Sequence, residues 1–438
     1  MDSEDKKLKL CLVRAQNRGT ELFKHNMDWS EDSRPEVRDK NRFTATKDKT
    51  YVYLLSAFCI ELIPAEKLPE YYKPWMTIAG DLCNLIKNKQ IREAVRQMPE
   101  LSLKYLSGHR EQRLARLILG HIVMGYVWQD GEQGAVKVLP RCLAVPYFTL
   151  SEVLGMPPIL VHADLVLANW RRKNPHGPLT MENLTTIVSL PGGDSLQGFA
   201  LVTLMVEVAA IPGVQAVCQA VNSLVCQDEP RLLQALKDLT ESINRMSDAL
   251  KLMHDYVDSD IFYNTIRLFL SGWKDNPSMP EGLLYEGVAE TPFSFSGGSA
   301  AQSSVFQAFD ELLGIKHRSD SADFLLRMRE YMPPAHRHFV ERIGKAPSLP
   351  GYVQESGDPE LLSAFNECVL SLTDFRSLHI RIVCKYVSAA GNRSKMLGKM
   401  EQHLHERGTG GSNIMSFLKN VRGTCKEGVL NNDTQEDC

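Results

Sequence analysis

The sequence predicts an all-α protein. Over most of its 438 residues, apolar side chains recur at every third or fourth position, which is the period of one face of an α-helix. Runs with the alternating pattern of a β-strand are few, and no segment repeats at a fixed length. A chain of this length can bury a large core and divide into two or three domains.

Residues 1–55 differ from the rest of the chain. They are rich in charged side chains and lack apolar periodicity, so we expect a flexible segment without a secretory signal. Ordered structure is expected near "IPAEKLPEYYKPWMTIAGDLCNLI", at 63–86, where a turn precedes a helical pattern. The segment "HREQRLARLILGHIVMGYVWQ", at 109–129, predicts a long amphipathic helix. Prolines then divide 138–170 into short pieces that end in another helix.

The most apolar predicted helix follows the loop "SLPGGD" at 189–194. Asp194 or Ser195 offers a helix cap, and Pro212 interrupts the helix at its far end. Further helical patterns run through 229–257, 258–273 and 305–315.

The longest predicted helix begins after Asp358, a favourable N-cap that is followed by Pro359 at the first helical position. No helix-breaking residue occurs before Gly391. We therefore expect about 32 helical residues, or roughly 48 Å at 1.5 Å per residue.

Composition excludes several classes of protein. The 43% apolar and 24% charged residues are typical of a soluble globular protein. A net charge of −3 provides neither a basic surface for nucleic acid nor a polybasic patch for a membrane. The apolar runs 51–63 and 199–210 each contain a glutamate and are too short to cross a bilayer. The ten cysteines form no CxxC pair, which suits a reducing compartment and predicts a cytoplasmic protein.

A histidine lies on the apolar face of the longest predicted helix. In "FRSLHIRIVCKY", at 375–386, His379 shares a face with Phe375, Leu378 and Ile382. A lone histidine in this setting is more often a core residue that is hydrogen-bonded to a carbonyl. The alternative is axial ligation of haem iron, which requires a neutral imidazole in an apolar wall.

Three charged residues near apolar stripes have two interpretations each. Arg376, one turn before His379, either contacts a haem propionate or extends its charge to solvent. Asp310, four residues after Phe306, either neutralises Arg376 or lies on a helix surface. Arg267 either binds a substrate carboxylate through paired hydrogen bonds or belongs to a structural ion pair.

Three glycine-containing loops precede helical patterns: "PGGDSLQG" at 191–198, "SGGSAAQS" at 296–303 and "RGTGGSN" at 407–413. Each is able to present backbone N–H groups to an anion. None matches a nucleotide-binding motif, so two interpretations remain: flexible walls that close over a small ligand or, as is more common for a single loop of this kind, an ordinary turn.

Two other patterns are less specific. His336 and His338, like His403 and His405, do not form a recognised metal-ligand motif with carboxylates or cysteines, so we expect solvated side chains rather than metal sites. Tyr147 and Tyr285 fit a loose phosphotyrosine docking pattern. A second hypothesis is therefore a helical signalling adaptor that binds SH2-domain proteins through these tyrosines and retains only vestigial catalysis.

Taken together, the motifs resemble one family. "LPGGDSLQGF", "RLFLSGWKDNP", "SGGSAAQSSVFQAFDELLGI", "RSLHIRIV" and "RGTGGS" occur in the order and at the spacing found in the indoleamine 2,3-dioxygenases, across roughly residues 60–425. "GYVWQ", "ILVHADLVL" and "SGWKDNP" resemble the second of the family's two paralogues more than the first.

The resemblance implies a monomeric haem protein in which a small helical domain, 56–150, and a large one, 151–438, hold haem b between them. The implied reaction inserts both atoms of O₂ across the indole 2,3-bond of L-tryptophan and related indoleamines. Its product is N-formylkynurenine, at the first step of the kynurenine pathway. An external electron donor would keep the iron ferrous, and the likeness to the second paralogue is consistent with low turnover.

By motif, His379 corresponds to the proximal iron ligand and Arg376 to the arginine beside a propionate. Gly298 and Ser299 correspond to the loop above the haem. The other residues expected at the cofactor are Phe306, Asp310 and Val383.

The residues that the resemblance implies for substrate positioning are Phe199, Thr203, Phe262, Arg267, Ser299, Ala300 and Thr409. Phe199 and Phe262 correspond to the aromatic wall, Arg267 to the carboxylate-binding arginine and Thr409 to the C-terminal loop. Thr203 and His162 replace a serine and a tyrosine of the first paralogue, which alters the pocket. Segments 195–210 and 262–273 contain no histidine, so we expect positioning and water exclusion there rather than acid–base catalysis.

Overall fold

The computed structural model describes residues 67–396 and 413–431, and helices predominate in them. The all-α prediction is confirmed. The described residues belong to one compact unit, Pro64–Cys438, and the expected division of the chain near residue 150 stays a prediction. The predictions for residues 1–55, for His403 and His405 and for Thr409 fall outside the described ranges.

One long helix organises the N-terminal part of the described chain. The helices there are α1 (Lys73–Gly80), α2 (Leu82–Lys87), α3 (Ile91–Arg96), α4 (Gly108–Trp128) and α5 (Arg141–Leu154), with 3₁₀ turns at Glu70–Tyr72, Leu103–Tyr105 and Met181–Asn183. Helix α4 packs against the other four. Its residues are buried continuously from Arg113 to Trp128 as a result. A π-helical segment, Ala163–Leu167, follows α5.

A second long helix, Glu229–Lys251, organises the rest of the described chain. The helices there are α6 (Gly193–Ala209), α7 (Ile211–Cys226), α8 (Glu229–Lys251), α9 (Met253–Tyr256), α10 (Ser259–Ile261), α11 (Arg267–Leu270), α12 (Ser304–Leu312), α13 (Ser319–Arg329), α14 (Pro334–Ile343), α15 (Leu349–Ser356), α16 (Pro359–Val383), α17 (Ala390–Met396) and α18 (Ile414–Glu427). Helix α8 packs against α6, α7 and α16. Its buried Leu232, Leu236, Leu239 and Ile243 have the three-to-four spacing that predicted this helix.

Four short strands occur in the described residues. Strand β1 (Val138–Leu139) pairs in parallel with β4 (Leu284–Tyr285), which ties the segment before α5 to the loop after α11. Strand β2 (Arg171–Arg172) pairs with β3 (Leu184–Thr185) in an antiparallel hairpin.

Helix α16 begins where the sequence predicts, but the helical chain continues beyond the predicted end. The Asp358 side chain accepts a hydrogen bond from the Glu360 N–H at 2.8 Å, as an N-cap does. The chain stays helical through a π segment, Cys384–Ala389, and then through Gly391 into α17. A single glycine weakens a helix by only about 1 kcal/mol relative to alanine, and the apolar packing of Val387 and Ala390 outweighs this cost. The predicted end at Gly391 is therefore wrong.

A second continuous helix, residues 259–270, consists of α10, the π segment Phe262–Ile266 and α11. The chain after it passes so close to a loop that Gly272 is required. A Cβ atom on Gly272 would lie 2.2 Å from the backbone nitrogen of Gly297. The Gly298 N–H donates to the Leu270 carbonyl at 3.2 Å. These contacts fix the loop 296–303 against the end of α11.

The stretch Gly193–Cys226, which contains α6 and α7, is long and apolar enough to cross a membrane. However, 56% of its most apolar window is buried inside the protein, as in the core helix of a globular domain. The predicted interruption near Pro212 is observed as a turn at Ala210. The length and composition of this stretch are therefore no argument for a membrane span.

Candidate active site

A mainly apolar cavity of about 270 Å³ lies among α6, the helix 259–270, the loop 296–303, α12, α16 and α18. Every predicted site residue within the described ranges lines it: Phe199, Thr203, Phe262, Arg267, Gly298, Ser299, Ala300, Phe306, Asp310, Arg376, His379 and Val383. The three π segments also contribute Val166, Phe262 and Tyr386 to its walls. Such segments are frequent at functional sites.

The surroundings of His379 differ from those of a core histidine that is hydrogen-bonded to a carbonyl. His121 is such a core histidine, because its Nδ1 lies 2.8 Å from the Leu117 carbonyl oxygen, one turn earlier in α4. No group in the described residues is hydrogen-bonded to a ring nitrogen of His379, which lines the cavity. Burial lowers the pKa of both imidazoles to about 4, so both rings are neutral at pH 7. The pKa values do not distinguish the two histidines, but their hydrogen bonds do. His379 keeps a nitrogen lone pair that is available to a metal.

The predicted partnership of Arg376 and Asp310 is present and buried. Nη2 of Arg376 lies 2.7 Å from both Asp310 oxygens, and Nε2 of His317 lies 2.9 Å from Oδ2. Burial alone would raise the pKa of Asp310, but Arg376 and His317 outweigh it and lower that pKa. The Nη1 atom of Arg376 is buried and has no hydrogen-bond partner in the described residues. This arginine thus has a donor left for an anionic group in the cavity.

Replacing Asp310 by asparagine is expected to lower the free energy of unfolding by about 3–5 kcal/mol at pH 7, because it leaves the Arg376 charge buried and uncompensated. Since folding lowers the pKa of Asp310, its contribution is present above the ordinary value of 3.8 and is lost as pH falls through the lower folded value. Denaturant unfolding of both proteins between pH 7 and pH 4 measures the difference. The difference in the free energy of unfolding should be near its full size from pH 7 to pH 4.

Asp248 provides a matched control. Its carboxylate pairs with Lys251 at 2.8 Å but is 74% exposed, so Asp248→Asn should change stability by less than about 1 kcal/mol. Equal losses in the two variants would contradict a special role for the buried pair.

Aromatic side chains form one wall of the cavity. The ring centroids of Phe199 and Phe262 are 5.1 Å apart, and Tyr386 meets Phe262 edge to face at 6.0 Å. The Tyr386 hydroxyl donates to the Met253 carbonyl at 2.7 Å and so fixes that ring. Flat rings held in this way suit a flat aromatic ligand.

Arg267 lines the same cavity and is only 2% exposed. Its guanidinium carbon lies 5.1 Å from the Tyr263 ring centroid. Burial lowers the pKa of Arg267, and the nearby Tyr263 and Glu132 offset this only in part. Arg116, by contrast, is equally buried but lies beside Asp164, and its pKa is raised. Arg267 is therefore a desolvated cation that an incoming carboxylate would stabilise.

The loop 296–303, which lines the cavity, is held in part by its own hydrogen bonds. The Ser299 side chain accepts from the Ala301 N–H at 3.2 Å and caps the 3₁₀ turn Ala300–Gln302. On α12, Phe306 packs against Phe375 of α16, with ring centroids 5.0 Å apart. Gly298, Ser299 and Phe306 thus belong to the cavity lining, while their roles toward a ligand stay a prediction.

Sequence reasoning missed three polar residues near the cavity. Glu207 lies in the most apolar helix and pairs with His162, whose ring lines the cavity. Its signal in sequence is a glutamate eight residues after Phe199, on the same helical face. His317 gives no such signal. The expectation that His336 is solvated is wrong, because its ring is buried and its Nδ1 lies 3.0 Å from Ser304 Oγ.

The adaptor hypothesis finds no support. Tyr147 and Tyr285 are both 0% exposed. Tyr147 lies within α5, and the Tyr285 hydroxyl donates to the Pro158 carbonyl at 2.6 Å. A kinase or an SH2 domain needs an accessible tyrosine, and phosphorylation at either position would require this part of the core to open.

In the described ranges, no cluster of three or more His, Cys, Asp or Glu side chains could hold a metal ion. His379, which lines the cavity with a neutral imidazole, could serve as the protein ligand of a metal that a bound cofactor carries. The donor set fits haem: a neutral imidazole, mainly apolar walls and a buried arginine donor suited to a propionate.

Comparison with known proteins agrees with this geometry. Residues 42–428 match the family model of indoleamine 2,3-dioxygenase. The chain is 53% identical to indoleamine 2,3-dioxygenase 2 of Homo sapiens over 83% of this chain and 91% of that protein. It is 48% identical to indoleamine 2,3-dioxygenase 1 of Rattus norvegicus, over 84% and 92%. A myoglobin of Haliotis diversicolor is 38% identical, over 81% and 91%.

The fold, the cavity and these matches define an oxidoreductase of the dioxygenase class. The chain belongs to the indoleamine 2,3-dioxygenase family, as its motifs indicate. The higher identity to the relative named indoleamine 2,3-dioxygenase 2 confirms the predicted likeness to the second paralogue.

Proposed function

We propose that this protein uses haem b to insert both atoms of O₂ across the indole 2,3-bond of L-tryptophan and related indoleamines, giving N-formylkynurenine. One observation carries the proposal. A histidine with no hydrogen bond to its ring in the described residues, a desolvated arginine and an aromatic wall line one cavity. An external reductant would keep the iron ferrous, and we propose that the protein acts as a monomer in the cytoplasm.

The cofactor would be held by His379 at the iron and by Arg376 at a propionate, with Phe306 and Val383 against the porphyrin. When bound, haem would supply the binding and activation of O₂. Asp310 keeps Arg376 in place through its two 2.7 Å contacts. These residues do not react; they hold a neutral ligand and a compensated charge in an apolar wall.

On the substrate side, Arg267 would bind the carboxylate of the amino acid, and Phe199 and Phe262 would hold the plane of the indole. The Thr203 hydroxyl donates to the Phe199 carbonyl at 2.7 Å, so it has no proton to give to a reacting atom. The work of these residues is orientation and exclusion of water. This agrees with the absence of histidine from segments 195–210 and 262–273.

One relative is named a myoglobin, so O₂ binding alone would not distinguish the proposed dioxygenase from an O₂-binding protein. The decisive experiment must therefore measure product formation. The full chain, loaded with haem and reduced anaerobically, should change its Soret spectrum on addition of L-tryptophan. Exposure to ¹⁸O₂ should then give N-formylkynurenine that contains two ¹⁸O atoms, detected by mass spectrometry. A stable oxygenated spectrum with no product would instead indicate an O₂-binding protein.

A further inference from the structure

A buried histidine outside the cavity lining contacts the carboxylate that holds Arg376. The His317 side chain is 7% exposed, and its Nε2 lies 2.9 Å from Oδ2 of Asp310. Asp310 and Arg376 line the cavity, and His317 contacts Asp310 from outside that lining. Nδ1 of His317 is buried, and no group in the described part of the chain is hydrogen-bonded to it. The bond to Asp310 is thus what compensates the burial of this ring.

The turn after α12 brings His317 back to Asp310. Gly314 has a φ of +68°, in the left-handed region that glycine adopts without strain. The Ile315 N–H donates to the Asp310 carbonyl at 2.9 Å, and the Gly314 N–H donates to the Glu311 carbonyl at 3.4 Å. These two bonds are those of a Schellman motif at the end of a helix. Asp310 therefore fixes the turn through its backbone and contacts His317 through its side chain.

The pair of Arg376 and Asp310 leaves one arginine nitrogen unused. Arginine commonly meets a carboxylate with two nitrogens, one for each oxygen. Here Nη2 alone lies 2.7 Å from both oxygens, and the buried Nη1 has no hydrogen-bond partner among the described residues. Cys425 also lies beside the guanidinium, but a thiol is only a weak hydrogen-bonding group. The orientation of the Asp310 carboxylate therefore determines which arginine donors remain for a ligand.

The contact with His317 accounts for that orientation. The pKa of Asp310 is lowered, so its carboxylate is ionised at pH 7 and only accepts hydrogen bonds. Nε2 of His317 must then carry a proton in either charge state of the ring, and it donates this proton to Oδ2. The carboxylate is therefore unable to turn toward a second nitrogen of Arg376 without losing the bond from His317.

We propose that His317 is a positioning residue for the cofactor, which fixes the Asp310 carboxylate so that Arg376 keeps Nη1 for an anionic group of the ligand. The inference rests on the proposed function, in which that group is a haem propionate. Without His317, the carboxylate would turn and pair with two nitrogens of Arg376. The ion pair would persist, but the donor for the propionate would be lost.

The test measures the rate at which hemin leaves the full chain, with an excess of apomyoglobin as the acceptor. His317→Leu removes the donor and keeps an apolar side chain in the core. Hemin should leave this variant about 10- to 100-fold faster than it leaves the parent protein, as expected for the loss of one hydrogen bond to a charged group. His317→Gln should recover much of this loss, because its amide N–H is able to donate to Asp310.

Hemin dimethyl ester separates recognition of a propionate from general damage to the cavity. It keeps the iron and the porphyrin but has no carboxylate charge. His317→Leu should therefore change its dissociation rate far less than that of hemin. An equal acceleration for both cofactors, or a hemin dissociation rate in His317→Leu that matches the parent protein, would overturn the proposal.

His121→Leu is the matched control. His121 is also a buried histidine, but its Nδ1 lies 2.8 Å from the Leu117 carbonyl oxygen rather than beside a carboxylate of the cavity. Denaturant unfolding of the haem-free chain should show a loss of stability in this variant, while hemin leaves it at the parent rate. If hemin left both variants equally fast, the effect would come from lost stability and the role of His317 would be refuted.

The outcomes also separate this inference from the proposed function. If hemin binds but no N-formylkynurenine forms, the proposed function fails, and the dissociation rates still decide the role of His317. If product forms but His317→Leu releases hemin and its dimethyl ester equally, only the role of His317 fails. A parent chain that binds no hemin would overturn both.

Discussion

Replacing His379 by alanine is expected to abolish the Soret band of the protein after incubation with hemin and desalting. Loss of a partner that merely orients a metal ligand costs about 10- to 100-fold in affinity, so loss of the ligand itself should exceed the upper figure. Absorption spectroscopy and haem titration measure the effect. Added imidazole should restore much of the band, because the substitution leaves a space in the cavity wall that an imidazole molecule fits.

His121→Ala is the matched control for that experiment. Both imidazoles are buried and have a pKa lowered to about 4, but His121 is bonded to the Leu117 carbonyl and His379 has no such bond in the described residues. The control should lose stability and keep its haem spectrum. A retained Soret band in His379→Ala, or the same spectral loss in both variants, would contradict the assignment of the iron ligand.

Local patterns predicted the elements of the fold because each depends on neighbouring residues. The cap at Asp358 and the period of α16 are properties of a short stretch, and both are observed. The end of that helix depends on tertiary packing, since Val387 and Ala390 pack with Tyr263 from a distant part of the chain. A local rule for Gly391 contains no information on that contact.

The candidate site shows the same division. Helical spacing predicted the stripe that His379 shares with Phe375 and Ile382, and the family motifs pointed to Phe199, Thr203 and most of the other lining residues. Spacing alone left open whether Asp310 meets Arg376 or solvent, because their separation is 66 residues in sequence. It also gave no reason to bring His317 to Asp310 or to bury His336, since these contacts join loops and helices whose relative positions only the fold determines.

Replacing Arg267 by alanine is expected to weaken L-tryptophan binding by about 2–4 kcal/mol, the cost of leaving one charge of a desolvated pair without its partner. In dissociation constants this is roughly 30- to 700-fold. Arg267→Lys should recover only part of the loss, because an ammonium group does not reproduce the paired hydrogen bonds of a guanidinium with a carboxylate. Optical titration of the haem-loaded proteins measures these constants.

L-Tryptophanamide separates recognition of the carboxylate from general damage to the cavity. It has the indole and the size of tryptophan but no negative charge, so Arg267→Ala should change its affinity far less than that of L-tryptophan. The difference between the two losses is the coupling energy between the guanidinium and the carboxylate. Equal losses for both ligands would mean that Arg267 supports the cavity only through its packing on Tyr263. The lowered pKa of Arg267 argues against that outcome, because burial there outweighs the charge of Glu132, whereas Asp164 and Asp310 raise the pKa of Arg116 and Arg376.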